Sequence, residues 1–192
     1  RLVADLLLLA RADAGRVATR QSVDLADVVR DAAAEAAPLA AGHHLTLSLD
    51  DPAAGGSAVR PVVHGAPDDL HRLALNLIEN AIAHTPPGTS IDVAVRVEDG
   101  DAVLEVADDG PGIPDDLRPR IFERFVRGAG DARPGGSGLG LAIVHAVAQS
   151  HFGNVELAGA DDQAGTRFVV RLPLVPGAPG SVAPPAVQAS AG

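Results

Sequence analysis

The feature that most constrains this chain is a pair of strands joined by a tight turn. Ile91, Val93, Val95 and Val97 alternate with polar residues or alanine, then run into Glu98-Asp99-Gly100-Asp101 and the apolar stretch Ala102 to Ala107. Period-2 alternation on both sides of an acidic, Gly-containing turn is a hairpin signature. It commits the middle of the chain to an antiparallel sheet with one buried face. Hydrophobic residues make up 46% of the 192 residues but aromatics only 2%, so that face must pack against Leu, Val, Ile and Ala.

Other elements follow from periodicity. Leu2, Val3, Leu6, Leu9 and Ala10 fall at helical spacing, with Gly15 as a C-cap. Ser22 or Asp24 can cap a second helix reaching Ala41. Leu45, Leu47 and Leu49 alternate as a strand, Asp51 to Ser57 reads as a turn, and Val59 to His64 as a second short strand. Asp68 opens a helix to Ala83, and Pro114 to Phe125 contains a short one. Ala129 to Gly138 is a glycine-rich loop before a helix from Leu139 to Ser150. Gly153 to Leu157 and Thr166 to Leu172 close the sheet, and beyond Val175 the Pro, Gly, Ala and Ser composition predicts a disordered tail. The expected fold class is α+β: a two-layer sandwich of a mixed, mostly antiparallel sheet with helices on one face.

Absent residue types remove whole chemistries. A net charge of -10 argues against nucleic acid, which needs a basic surface. No cysteine means no disulfide and no thiolate metal site. All 15 basic residues are arginine, so neither a Walker-type phosphate loop nor a eukaryotic-type kinase, each built around a lysine, can form. No stretch approaches the roughly 20 apolar residues of a membrane span, and no signal-peptide pattern is present.

Three motifs carry chemistry. In the helix Asp68 to Ala83, Asn76 and Asn80 are one turn apart with Glu79 close by. Asparagine is a poor mid-helix residue, and these oxygen donors suit a hard cation such as Mg²⁺. They also fit an exposed polar face. Asp108-Asp109-Gly110-Pro111-Gly112-Ile113 follows a strand; its glycines let backbone turn against a flat ligand, and a strand-end carboxylate can accept from an exocyclic amine such as adenine's. An ordinary acidic turn would look the same. Gly135-Gly136-Ser137-Gly138-Leu139-Gly140-Leu141 precedes an apolar helix, whose free amides and dipole make an anion site. A flexible linker is the alternative, and the spacing does not fit a dinucleotide fingerprint.

In this order the three motifs resemble the ATP-binding catalytic domain of sensor histidine kinases, within the superfamily that includes DNA gyrase and the heat-shock chaperone ATPases. Leu75 to Ala81 continuing to His84-Thr85-Pro86 is similar to the N box, and Asp108 to Gly112 to the first glycine box. Ile121-Phe122-Glu123-Arg124-Phe125 is similar to the phenylalanine box, Gly136 to Leu141 to the second glycine box, and Gly165-Thr166 with Phe168 to the last glycine motif. Asp5 to Arg11 resembles the end of the second dimerisation helix. The resemblance implies a Bergerat-type ATP-binding fold with residues 1–20 as the end of a dimerisation and phosphoacceptor helix, 21–174 as the ATP-binding domain and 175–192 as a tail.

The resemblance also implies residue roles. Asn80, with Asn76 nearby, would hold Mg²⁺. Asp108 would read the adenine amino group, with Gly110, Gly112 and Ile113 lining the base pocket and Thr166 in the last motif beside it. Gly136, Ser137, Gly138, Leu139, Gly140 and Leu141 would cradle the phosphates under a lid from Val126 to Gly136. His84 stands where an aromatic flanks the base, by stacking or by packing. The family's phosphate-binding lysine position is Ala83 here, so Arg127, then Arg124 and Arg133, are the candidate cations. Asn76 and Arg127 are the candidate catalytic residues. An ATP hydrolase or serine kinase of the superfamily would carry Glu at position 76, and a nucleotide-free regulator would not keep Asn80, Asp108 and the glycines.

None of the seven histidines has the acidic neighbour of an acceptor motif. The expected enzyme is therefore a protein-histidine kinase whose acceptor helix lies upstream of Arg1, so the fragment alone should not autophosphorylate. Its expected partners are that dimerisation domain, homodimeric at full length, and a response regulator. The expected setting is the cytoplasmic portion of a membrane sensor, the fragment itself lying outside the membrane.

Overall fold

The computed structural model describes residues 2–13, 19–49, 59–126, 137–158 and 165–175. The readings for Gly15, the turn at 51–57, the lid (except Val126) and the tail beyond Val175 lie outside those residues. The order is α1 (Leu2–Asp13), β1 (Gln21–Asp24), α2 (Leu25–Ala36), β2 (His44–Leu49), β3 (Val62–Gly65), α3 (Pro67–His84), β4 (Ser90–Glu98), β5 (Asp101–Asp108), α4 (Gly140–Ser150), β6 (Asn154–Ala158) and β7 (Thr166–Pro173). The 3₁₀ turn Arg118–Arg120 is the short helix expected before Phe125.

The hairpin organises the sheet. Asp99 (φ 52°) and Gly100 (φ 88°) are both left-handed, the turn whose twist matches that of its strands. The main sheet has five strands in the order β2-β4-β5-β7-β6, and every pairing is antiparallel except β2 with β4. That parallel pair needs a crossover, and the chain between the two strands contains β3 and α3.

Register sorts the side chains. Val93, Val106 and Phe168 form one row across the sheet and Val95, Leu104 and Val170 the next, all buried beneath the helices. The opposite face carries a charge ladder in which Arg96 and Arg167 reach Glu105, at 2.9 and 3.3 Å, and Arg171 reaches Glu98 at 2.9 Å. Val103 and Val169 are buried on that same charged face; Val103 lies opposite Arg96 and Arg171, whose long apolar stems can cover it. Exposed ion pairs contribute about 0.2–1 kcal/mol each, so the sheet is held mainly from its apolar side.

Three helices cover that side, with α3 packed against both α2 and α4. Asp24 caps α2, its Oδ1 accepting from Ala26 N at 3.0 Å. The helix stops at Ala36 rather than the expected Ala41, because Pro38 has no N–H to continue the ladder; the chain runs on as turns to Gly42. One strand escaped the sequence reading. β1 pairs with β3 in a small second sheet, and β3 is also bonded to the segment just after β7 through Val175 N to Val62 O. With Val23 as its one apolar residue, β1 carries no readable alternation.

Two polar devices lock the helices. His151, at the end of α4, is 4% exposed. Its Nδ1 donates to Val147 O at 2.8 Å and its Nε2 accepts from Ala66 N at 3.0 Å, which fixes the tautomer and ties α4 to the start of α3. Gly65 makes room for the ring, since a Cβ there would sit 2.6 Å from it. Asp5 on α1 is buried and ion-paired with Arg72 on α3, and Leu9 is buried beside α4, leaving Leu2, Val3, Leu6 and Leu7 exposed. Among the described residues no helix is long and apolar enough to cross a membrane.

Candidate functional site

Helix α3 presents Asn76 and Asn80 on one face, the first buried to 7% exposure and the second half-buried, with Glu79 half-exposed between them. Leu73, Leu77, Ile78 and Ala81 hold the other faces in the core. Asn76 meets the start of α4: a Cβ on Gly140 would lie 3.7 Å from its Oδ1, at ordinary van der Waals distance. Asn76 Nδ2 is buried and has no hydrogen-bond partner among the described residues. Among the described residues the N-terminus of α4 likewise has no side-chain cap for its first amides. Ser137 Oγ accepts from Leu139 N at 3.3 Å, Leu139 is buried, and Leu141 is half-buried.

The loop leading to α4 is closed at its neck. Phe125 N donates to Gly138 O at 2.8 Å, and both residues are left-handed, at φ 65° and 67°. A side chain on Gly138 would strike the backbone of Phe125 at 2.9 Å. Phe122 anchors the approach, stacked on His145 of α4 with centroids 5.6 Å apart and edge-on to Phe168 at 6.1 Å. Arg124 is exposed beside this neck. Arg127, Arg133 and Gly136 lie outside the described residues.

A second group forms where β5 ends. Asp108 stands opposite Thr166 in register, and its Oδ1 accepts from Gly110 N at 3.0 Å. Burial pushes the Asp108 carboxyl above its ordinary value of 3.8, against the opposing pull of hydrogen bonds from Gly110 N, Thr166 N and the Thr166 hydroxyl. Asp109 turns away and accepts from Ser90 N at 2.8 Å. Gly112 (φ 75°) lies under Gly165, whose own φ of 119° and contact with Asp108 O admit no side chain. Ile113 packs on the core, and its carbonyl accepts from Arg118 Nε at 2.9 Å.

The two groups lie at opposite ends of one stretch of α3. Asn76 faces Gly140, and nine residues on, the methyl of Thr85 touches Gly110. At roughly 1.5 Å per residue that separates them by about 13 Å, a length suited to an elongated ligand with an anionic end at α4 and a flat, amine-bearing end at Asp108. His84 is exposed at the end of α3. Thr85 and Arg118 support the site but received no role of their own from sequence, whereas Gly165 was placed in the last glycine motif. Thr85 follows His84 in the stretch similar to the N box, yet only its burial to 3% beside exposed neighbours marks it out.

Known proteins share this arrangement. Residues 65–176 match the family described as histidine kinase-, DNA gyrase B-, and HSP90-like ATPase. The probable sensor histidine kinase TcrY of Mycobacterium tuberculosis is 41% identical over 177 residues, covering 91% of this chain and 35% of that protein. Among solved structures, the mycobacterial sensor histidine kinase MprB superposes with a TM-score of 0.67 at 32% identity, over 80% of this chain and 97% of that one. Full-length ShkA in complex with AMPPNP gives 0.70 at 29% identity, over 90% of this chain and 35% of that one. The chain spans about a third of the length of the curated relatives it matches.

Proposed function

The chain belongs to the family of histidine kinase-, DNA gyrase B- and HSP90-like ATPases, and from that premise we propose that it binds Mg²⁺-ATP as the catalytic part of a two-component sensor histidine kinase. The observation that carries the reading is the start of α4, without a side-chain cap among the described residues, set against Asn76, whose Oδ1 lies toward Gly140 and whose Nδ2 is buried with no partner among those residues. A buried donor without a partner is rare in a native fold, and an anion or its bridging water completes this one. At the other end, the Asp108 carboxylate, which Thr166 donates to, offers an acceptor for the adenine amine. The ShkA neighbour, a complex with AMPPNP, supports the same assignment.

The donor set fits Mg²⁺ accompanied by phosphate rather than a protein-caged ion. Among the described residues no three His, Asp or Glu side chains gather as ligands, so amide oxygens and the ligand's own oxygens must supply the coordination. Asn80, with Asn76 beside it, would hold Mg²⁺, which neutralises phosphate charge. The amides from Gly138 to Leu141 bind the phosphate chain, Gly110, Gly112 and Ile113 line the base, and His84 flanks it. Arg127, or Arg124 next to it, contacts the γ-phosphate, where a guanidinium stabilises charge that grows during transfer.

The γ-phosphoryl group passes to a histidine on a dimerisation helix upstream of α1, in a homodimer that then serves a response regulator from the cytoplasmic side of a membrane sensor. Calorimetry with AMPPNP and Mg²⁺ tests the binding step; no heat at millimolar ligand refutes it. Radiolabelled ATP tests the transfer. The 192-residue chain alone should take no acid-labile label, whereas a protein extended with the dimerisation helices should. In that extended protein Arg127→Ala should slow transfer more than it weakens binding, and an unchanged rate moves the role to Arg124 or Arg133.

A further inference from the structure

Thr85 is buried to 3% although Ala83, His84, Pro86, Pro87 and Gly88 around it are all exposed. It follows the last residue of α3 with extended backbone (φ -116°, ψ 151°) and is gripped from three directions. Its hydroxyl donates back to Ala81 O at 2.7 Å, capping the turn that carries Asn80. Its methyl Cγ2 lies against Gly110, where an added Cβ would come within 2.6 Å. Gly110 is the residue whose N–H is held by Asp108. The Thr85 carbonyl faces His43 Nε2 at 3.4 Å, from the turn before β2. One side chain therefore touches both the end of α3 and the loop after β5.

We propose that Thr85 is a positioning residue that ties the metal-bearing end of α3 to the base-reading loop at Gly110, so that the two ends of the nucleotide site keep a fixed spacing. The division of labour is chemical. The hydroxyl governs the last turn of α3, and hence Asn80, because a helix end without a partner for its carbonyls frays. The methyl governs the height of Gly110 and Gly112 beneath the base, because a loop with nothing packed under one side is free to sink. The functional part of this assignment rests on the nucleotide reading above; the mechanical coupling rests on the contacts alone.

Two near-isosteric variants separate the roles. Thr85→Ser keeps the hydroxyl and removes the methyl; Thr85→Val keeps methyl bulk and removes the hydroxyl. In the ligand-free 192-residue chain, amide hydrogen exchange should speed up by about threefold to tenfold at Gly110 to Ile113 in the serine variant, and at Ile82 to His84 in the valine variant, each leaving the other segment unchanged. With ligand, the serine variant should lose adenine-over-guanine preference, measured with AMPPNP and its guanine counterpart. The valine variant should need more Mg²⁺ for half-saturation at unchanged base preference. If both variants quicken both segments alike, or neither does, the coupling is overturned. If the crossed exchange pattern holds while the parent chain fails to bind AMPPNP, the nucleotide reading falls and the coupling stands.

Discussion

Replacing Asp108 by Asn should weaken adenine nucleotide binding without weakening the fold, and the two effects have separate causes. The carboxylate receives three local donors, from Gly110 N, Thr166 N and the Thr166 hydroxyl, and in the proposed site a fourth from the adenine amine. An asparagine has one acceptor oxygen and an NH₂ that can only donate. Its oxygen can still accept from Gly110 N and Thr166 N, and the Thr166 hydroxyl can turn to accept from its NH₂, but the adenine amine would meet a donor. Losing a hydrogen bond to a charged acceptor costs about 1.5–3 kcal/mol, or roughly a 10- to 150-fold weaker Kd. Stability should move the other way. Burial outweighs the three hydrogen bonds and raises the Asp108 pKa, so the fold prefers the neutral side chain. The stability from that protonation is complete below 3.8 and is lost as pH rises through the folded value, so the always-neutral amide should hold or raise the midpoint near neutral pH. Calorimetry with AMPPNP and with its inosine analogue, beside a thermal melt, reads both effects. The amide's N–H can meet the inosine carbonyl, so that analogue should lose far less. An equal loss for both nucleotides, or AMPPNP affinity within twofold of the parent, would refute the reasoning.

Three other perturbations test the frame around the site. Burial lowers the His151 pKa below 6.5, so its contribution is complete above 6.5 and is lost as pH falls from there through the folded value; urea midpoints should drop between pH 7.5 and 5.5, and His151→Gln should flatten that slope. Gly165→Ala should cost about 2–4 kcal/mol, because φ is 119° and the new Cβ would sit 2.1 Å from Asp108 O; a denaturation midpoint equal to the parent's rules this out. Arg72→Ala should cost more than Asp5→Ala, about 2–4 kcal/mol, because it strands a carboxylate whose side chain is 9% exposed whereas Arg72, at 20%, can turn to water. A double-mutant cycle measures that coupling, and additive losses would dismiss the pair.

What could be read in advance was what short stretches of chain decide for themselves. The β4–β5 hairpin was legible because alternation and an Asp-Gly turn act within twenty residues, and α3 because its apolar positions repeat at helical spacing. The end of α2 was written at Pro38 and was overrun only because alanines continue past it. β1 was not legible, since Gln21-Ser22-Val23-Asp24 becomes a strand only by pairing with β3, some forty residues away. The same divide runs through the site. Glycines at 110, 112, 138 and 140 and amides at 76 and 80 suggested an anion site and a flat-ligand site, because those residue types suit backbone that must approach a ligand, though each motif by itself also fitted a turn, a linker or a polar face. That Gly140 stands against Asn76, that Thr166 faces Asp108, and that Thr85 bridges α3 to Gly110 are contacts between distant segments. No local periodicity encodes them; they exist only once the apolar faces of α3, α4 and the sheet have been driven together, which is a property of the whole core.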